Sequence, residues 1–256
     1  MRRAAQPGGD CAGGASRSLR GGPGPGVAPR TATGHLHLSD APQVRLGVLV
    51  SGRGSNLEAV LDARDHGRLG AVDPVLVVCN RPAARALQVA EEHDVPHRVL
   101  ERRQFGDPGA RDAAIGQAFR EAGCDLVLLA GYDQILGPSY FASYSGPTIN
   151  IHPSLLPRHG GSGMMGLAVH RSVLAAGDAE SGVSIHLVTP DVDGGPLLAQ
   201  APVQVRSGDD AEALARRVLA MEHRLLVDTL ANLAAGGLSD LASASMTDRS
   251  VTIDLE

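Results

Sequence analysis

The sequence predicts an α/β fold: an open, mostly parallel sheet flanked by helices, completed by a C-terminal antiparallel hairpin and a long helix. Three observations predict it. The short apolar runs VRLGVLV (44–50), PVLVVCN (74–80) and DLVLLAG (125–131) are separated by segments with helical spacing. They are apolar almost throughout, the pattern of strands covered on both faces. The first ends in Ser51-Gly52-Arg53-Gly54-Ser55-Asn56 and passes directly into LEAVLDARDHG, with Leu57, Val60 and Leu61 at helical spacing, a Rossmann-like strand–turn–helix.

The remaining elements follow in order. Residues 1–42 hold nine Gly, five Pro and five Arg against two acids, with no hydrophobic period, and are expected to be a disordered tail. This stretch lacks the apolar region of a secretory signal. From residue 43 to 237 a catalytic domain is expected, with helices near 81–93 and 110–122, a short strand at HRVL (97–100) and another at TINIH (148–152). A helix is expected at 165–177, then strands GVSIHLVT (182–189) and PLLAQAPVQV (196–205) joined through DVDGG, whose turn residues favour an antiparallel hairpin. The pattern at 209–235 is one long helix, and residues 238–256 return to Ser, Asp and Thr as a second tail.

Composition excludes several functions. The chain has 256 residues and a net charge of −5, and all 23 of its basic residues are arginine. The absence of lysine excludes Schiff-base chemistry. Three Phe, three Tyr and no Trp disfavour base-stacking nucleic-acid binding, as does the net negative charge. No apolar run approaches the roughly 18 residues of a membrane span. Cys11, Cys79 and Cys124 are widely spaced and form no CxxC, which disfavours a disulfide framework or structural zinc and suits a reducing, cytoplasmic setting.

Three constellations carry chemistry. In Ser51–Asn56, glycines admit close approach to a phosphate, while free N–H groups and the positive helix end attract it; the segment reads equally well as a plain turn capped by Ser55 or Asn56. The third glycine of a dinucleotide fingerprint is missing, which disfavours NAD. In Asn150-Ile151-His152-Pro153-Ser154-Leu155-Leu156-Pro157, at the carboxyl end of a strand, alternation points Asn150 and His152 to one side. Asp193, in DVDGG, reads first as a turn residue. Brought near His152, its carboxylate would raise the imidazole pKa and favour a proton shuttle. His159, His170 and His186 match no metal-binding spacing, so no metal is expected, and His186 is expected to fill an inward strand position. Arg102, Arg103 and Arg111 offer contacts to an anionic tail.

Taken in order, LVSGRGSNLEAVLDA, LAGYDQIL, INIHPSLLP, SIHLVTPDVDGGPLLAQAPV and ARRVLAMEH resemble the glycinamide ribonucleotide formyltransferase family over roughly residues 44–235. The resemblance implies formyl transfer from 10-formyltetrahydrofolate to the amine of N1-(5-phosphoribosyl)glycinamide in purine biosynthesis, without a metal. By the same resemblance, His152 is the general acid/base, Asn150 the oxyanion donor and Asp193 the residue tuning His152. Gly54, Ser55 and Asn56 hold the phosphate, and Met221 and Glu222 meet the ribonucleotide. Tyr132, Asp133, Gln134, Ile135 and Leu136, with Asn150, Thr189, Pro190, Asp191, Val192 and Asp193, line the folate pocket. Small-molecule partners and a monomer or homodimer are expected, with no nucleic acid and no membrane.

The chain departs from the family pattern in places. Asp133-Gln134 replaces a frequent Met-Arg, and Pro108 stands where an arginine often meets the folate's glutamate tail, leaving Arg111 or Arg103 to substitute. The loop 158–170 is long and glycine-rich, and is expected to order on ligand binding. Competing readings are a formyltransferase acting on another amine, such as a nucleotide-linked amino sugar, a folate deformylase lacking a phosphate site, and a non-catalytic nucleotide sensor.

Overall fold

The computed structural model describes residues 43–238 and residue 241, so the expected tail at 1–42 lies outside the described residues, as does most of 238–256. Within them the chain runs β1 (Val44–Val50), α1 (Ser55–Asp65), β2 (Val72–Cys79), α2 (Arg85–Glu92), β3 (His97–Val99), α3 (Pro108–Glu121), β4 (Leu126–Leu129), α4 (Pro138–Ser143), β5 (Thr148–His152), α5 (Leu167–Ala176), β6 (Glu180–Leu187), β7 (Leu197–Gln204) and α6 (Ala211–Asn232).

One sheet has the order β3-β2-β1-β4-β5-β6-β7. Strands β1 to β5 are parallel, while β6 and β7 are antiparallel. This is the predicted architecture. The chain adds β2 and β3 on one side of β1 and then crosses to β4 on the other, so the topological switch lies between β1 and β4. Open α/β sheets bind ligands outside the carboxyl ends of their strands at such a point.

The two faces of the sheet bury different side chains. On one, aliphatic residues of α1, α2, α5 and α6 cover Leu46, Val48 and Val50. On the other, α3 and α4 bring Phe119, Tyr140 and Tyr144 against Leu49 and Val127, with Tyr132 and Phe141 at the margin, so five of the six aromatic residues share this face. Their bulk demands a gap in β1. A Cβ at Gly47 would lie 2.5 Å from the Phe119 ring, so the ring occupies the space a side chain would need.

Local chemistry sets the ends of the elements. Asp107 and Asp210 accept from the N–H groups of Ala110 and Ala213 and cap α3 and α6. The short α4 was not anticipated, because six residues carry too little periodicity to register. The β6–β7 pair is antiparallel as expected, but its connection from Val188 to Pro196 is a wide loop rather than a tight turn. Leu238 and Leu241 pack on the aliphatic core, so the packed body continues past the expected boundary at 237.

Candidate active site

A cavity of about 1150 Å³ opens at the carboxyl ends of the parallel strands. The predicted residues Ser55, Asn56, Tyr132, Asp133, Gln134, Ile135, Leu136, Asn150, His152, Thr189, Asp191, Val192, Asp193 and Glu222 all line it. Gly54, Pro190 and Met221 do not. Gly54 shapes the loop instead: its φ is 77° and a Cβ there would sit 2.8 Å from Ala86. Met221 packs against the aliphatic core.

Strand pairing assembles the polar centre. Asn150 and His152 alternate to the same side of β5, and the antiparallel register sets His186 of β6 directly opposite Asn150. His186 is 2% exposed. Its Nδ1 lies 2.9 Å from the Leu187 carbonyl, which can only accept, so Nδ1 carries the proton. Nε2 is then an acceptor for the Asn150 Nδ2 donor at 3.1 Å. This pairing fixes the amide with its nitrogen toward His186 and leaves the second Nδ2 proton free to donate.

The same reasoning applies to His152, which is 4% exposed. Its Nε2 donates to the His159 carbonyl at 3.0 Å, so the neutral ring keeps its lone pair on Nδ1, 3.6 Å from Asp193 Oδ2. Protonation at Nδ1 would convert this apposition into an ion pair. Burial is the largest influence and holds the His152 pKa below its ordinary value, against the His159 carbonyl and Asp193, which favour the cation. The expectation that Asp193 raises this pKa therefore holds for that contact, while burial outweighs it, and the imidazole is neutral near pH 7.

Asp193 combines both readings the sequence offered. It occupies the turn with φ 54°, and its carboxylate also reaches back to the two histidines, lying 3.5 Å from His186 Nε2. Burial works to raise its pKa, yet the Gly161 N–H and the neighbouring His152 carry it below the ordinary aspartate value. The Gly161 N–H donates to Oδ2 at 2.9 Å and ties the glycine-rich loop to this carboxylate.

At the loop before α1 the structure rules out a side-chain cap. The N-cap of α1 is Gly54 in the left-handed conformation, with no side-chain cap. Neither Ser55 nor Asn56 closes the helix end. Asn56 instead points to α6, where its Nδ2 donates to Glu222 Oε1 at 3.5 Å while its Oδ1 has no partner among the described residues. Burial pushes the Glu222 carboxyl up to about 7, offset in part by the Asn56 contact.

Elsewhere the cavity mixes an apolar surface with charged side chains. Leu136 is buried, whereas Ile135 and Val192 are 58% and 36% exposed, an apolar surface open to a ligand. The Asp133 carboxylate accepts from Ser51 Oγ at 2.9 Å, from Asn80 Nδ2 at 2.8 Å and from Arg81, and so ties the segment 132–136 to the ends of β1 and β2. Arg103 pairs with Glu101, and buried Arg111 pairs with Asp112 at 2.6 Å. Of the arginines expected at a tail, Arg102 and Arg111 line the cavity and Arg103 does not.

The formyl transferase family model matches residues 44–230. The chain belongs to the formyl transferase family. Among curated relatives, it is 36% identical to phosphoribosylglycinamide formyltransferase of Escherichia coli over 202 residues, 78% of this chain and 92% of that protein. It is 37% identical to the trifunctional purine biosynthetic protein adenosine-3 of Bos taurus over 79% of this chain, but spans only 20% of that larger protein. Among solved structures, glycinamide ribonucleotide transformylase 1 from Symbiobacterium toebii superposes with a TM-score of 0.71 at 36% identity, over 76% of this chain and 89% of that one. Phosphoribosylglycinamide formyltransferase from Brucella melitensis does so with a TM-score of 0.68 at 39% identity, covering 76% and 97%.

In this formyl transferase family member, sequence reasoning missed His170 and underrated His186, both of which line the cavity. His170 is buried with Nδ1 unpartnered among the described residues, and its pKa is lowered by burial and then by His152. The register of β5 against β6 was the signal that could have placed His186, since a hairpin drawn to full length sets it beside Asn150. His170 comes from α5 across a loop, and no local pattern marks it.

Proposed function

We propose that this chain transfers the formyl group of 10-formyltetrahydrofolate to the glycine amine of N1-(5-phosphoribosyl)glycinamide, a step of purine biosynthesis. The observation that carries this reading is the convergence of Asn150, His152 and Asp193 on one cavity that also contains an uncapped helix end at Ser55. The deformylase alternative gives no reason for such a cradle. The likeness to proteins named as phosphoribosylglycinamide formyltransferases supports the same substrate.

Each side chain has work consistent with its geometry. Asn150, its amide fixed by His186, donates the remaining Nδ2 proton to the oxyanion that develops on the formyl carbon. His152, neutral at rest, takes the proton released as the amine attacks and returns one to the departing folate nitrogen, so that the amine loses one proton and the leaving nitrogen gains one. Asp193 stabilises the intervening imidazolium. His152 Nε2 donates to the His159 carbonyl in this structure, so accepting the substrate's proton at Nε2 requires that carbonyl, on the glycine-rich loop, to yield its place and the ring proton to sit on Nδ1 beside Asp193. Ile135, Leu136 and Val192 suit a flat pterin, Ser55 and Asn56 the phosphate, Glu222 the ribonucleotide, and Arg102 a carboxylate tail.

The test is turnover with purified protein, glycinamide ribonucleotide and 10-formyltetrahydrofolate, compared with His152→Ala. The variant is expected to bind both substrates and to lose turnover by ~10²-fold or more. Equal turnover in the variant would refute the assignment, and turnover only with a different amine, such as a nucleotide-linked amino sugar, would replace the substrate.

A further inference from the structure

We propose that Arg216 on α6 and Arg53 in the loop after β1 form a two-arginine clamp on the substrate phosphate at the α1 helix end. This deepens the formyl-transfer reading and rests on it. A chain without lysine must draw any cationic contact from its arginines. Four of them line the cavity: Arg53, Arg102, Arg111 and Arg216. Arg111 is neutralised by Asp112, and Arg102 belongs to the turn that precedes α3. Arg53 and Arg216 are exposed and make no ion pair or hydrogen bond among the described residues.

Their neighbours explain why these two remain available. Arg217, next to Arg216, is held by Asp209, with Nη1 to Oδ1 at 2.8 Å, and by the Gln204 carbonyl at 3.0 Å. Buried Leu214, Val218 and Leu225 hold α6 on the core, and Arg216 lies on the face that carries Leu219 and Glu222 into the cavity. Arg85, close to the loop, is taken by Glu58 at 2.9 Å. Six residues of helix separate Arg216 from Glu222, roughly 9 Å along the axis. Glu222 meets Asn56, the second residue of α1, and the reach of a long arginine side chain covers much of that interval. Arg53 stands two residues before Ser55.

Independent support comes from the loop itself. The α1 N-terminus has no side-chain cap and opens on the same cavity, and Asn56, 8% exposed, lines that cavity with its Nδ2 donating to Glu222 at 3.5 Å. The N–H groups of that helix end and the second Nδ2 proton are donors suited to an anionic acceptor. Two carboxylates border the clamp. Glu212 lies one turn before Arg216 without an ion pair to it among the described residues, and burial raises the Glu222 pKa to about 7, so that its charge is reduced at neutral pH.

The experiment compares glycinamide ribonucleotide with its dephosphorylated riboside as substrates for wild type, Arg216→Gln, Arg53→Gln and the exposed control Arg120→Gln. Each clamp variant is expected to raise KM for the phosphorylated substrate roughly ten- to a hundredfold, the worth of a charge-assisted hydrogen bond, with kcat and KM for the folate unchanged. KM for the riboside should be the same in all four proteins. An unchanged KM for the phosphorylated substrate, or an equal rise for the riboside, overturns the clamp. Failure of wild type to turn over the ribonucleotide would instead overturn the formyl-transfer reading. Calorimetry with inorganic phosphate then reads the clamp without turnover, expecting weaker binding by both variants, and equal binding by all four proteins overturns it.

Discussion

Burial of Glu222 costs the fold stability, and the cost depends on pH. Its carboxyl is 8% exposed, meets only the distant Asn56 amide, and is raised from 4.5 to about 7. Each pKa unit corresponds to about 1.4 kcal/mol, so the shift amounts to roughly 3 kcal/mol. Below the unfolded value near 4.5 the group is protonated in both states and the penalty is absent. As pH rises from there, the unfolded chain ionises first and gains stability relative to the folded one. The penalty grows through pH 5–7 and is complete above the folded value of about 7. Glu222→Gln keeps the shape and cannot ionise. It should match wild type near pH 4.5 and exceed it at pH 8 by roughly 3 kcal/mol, or about 6–12 °C in Tm for a domain of this size. Urea melts of both proteins across this range measure the difference directly, and reading it between the two proteins cancels the other titrating groups. A stability gap that does not change between pH 5 and pH 8 would refute the reasoning. The same variant is expected to bind the ribonucleotide more weakly, so that a destabilising group is retained for its contact with substrate.

Two further outcomes test the packing and the polar centre. Gly47→Ala places a methyl group 2.5 Å from the Phe119 ring and should destabilise by about 1–3 kcal/mol in urea, with Phe119→Leu in the same chain recovering part of the loss. His186→Phe removes the acceptor that orients the Asn150 amide; kcat should fall by roughly two- to tenfold, the worth of one net hydrogen bond, with KM little changed. A raised KM at constant kcat would place His186 in binding rather than in orientation.

Much of this molecule was legible in the sequence because the information is local. Continuous apolar runs locate the buried parallel strands, and β1 and β5 begin and end where VRLGVLV and TINIH do. Alternation alone puts Asn150 and His152 on one side. Asp193 was harder to read, because Asp and Gly in a turn satisfy backbone geometry whether or not the carboxylate has other work. The cap of α1 misled in a similar way, since Ser55 and Asn56 are good capping residues that the fold does not use as caps.

The sequence by itself determined the order of the strands and of every helix but α4, the switch from parallel to antiparallel pairing, and the loops that border the cavity, because periodicity and turn residues act over a few neighbours. Only the tertiary structure decided the states of those groups. His152 is neutral because burial outweighs Asp193, the Asn150 amide is oriented because β6 pairs in a register that sets His186 across from it, and Arg217 rather than Arg216 is held because Asp209 and the Gln204 carbonyl come within its reach. Each of these depends on desolvation or on partners brought from distant parts of the chain, and neither can be counted from a window of sequence.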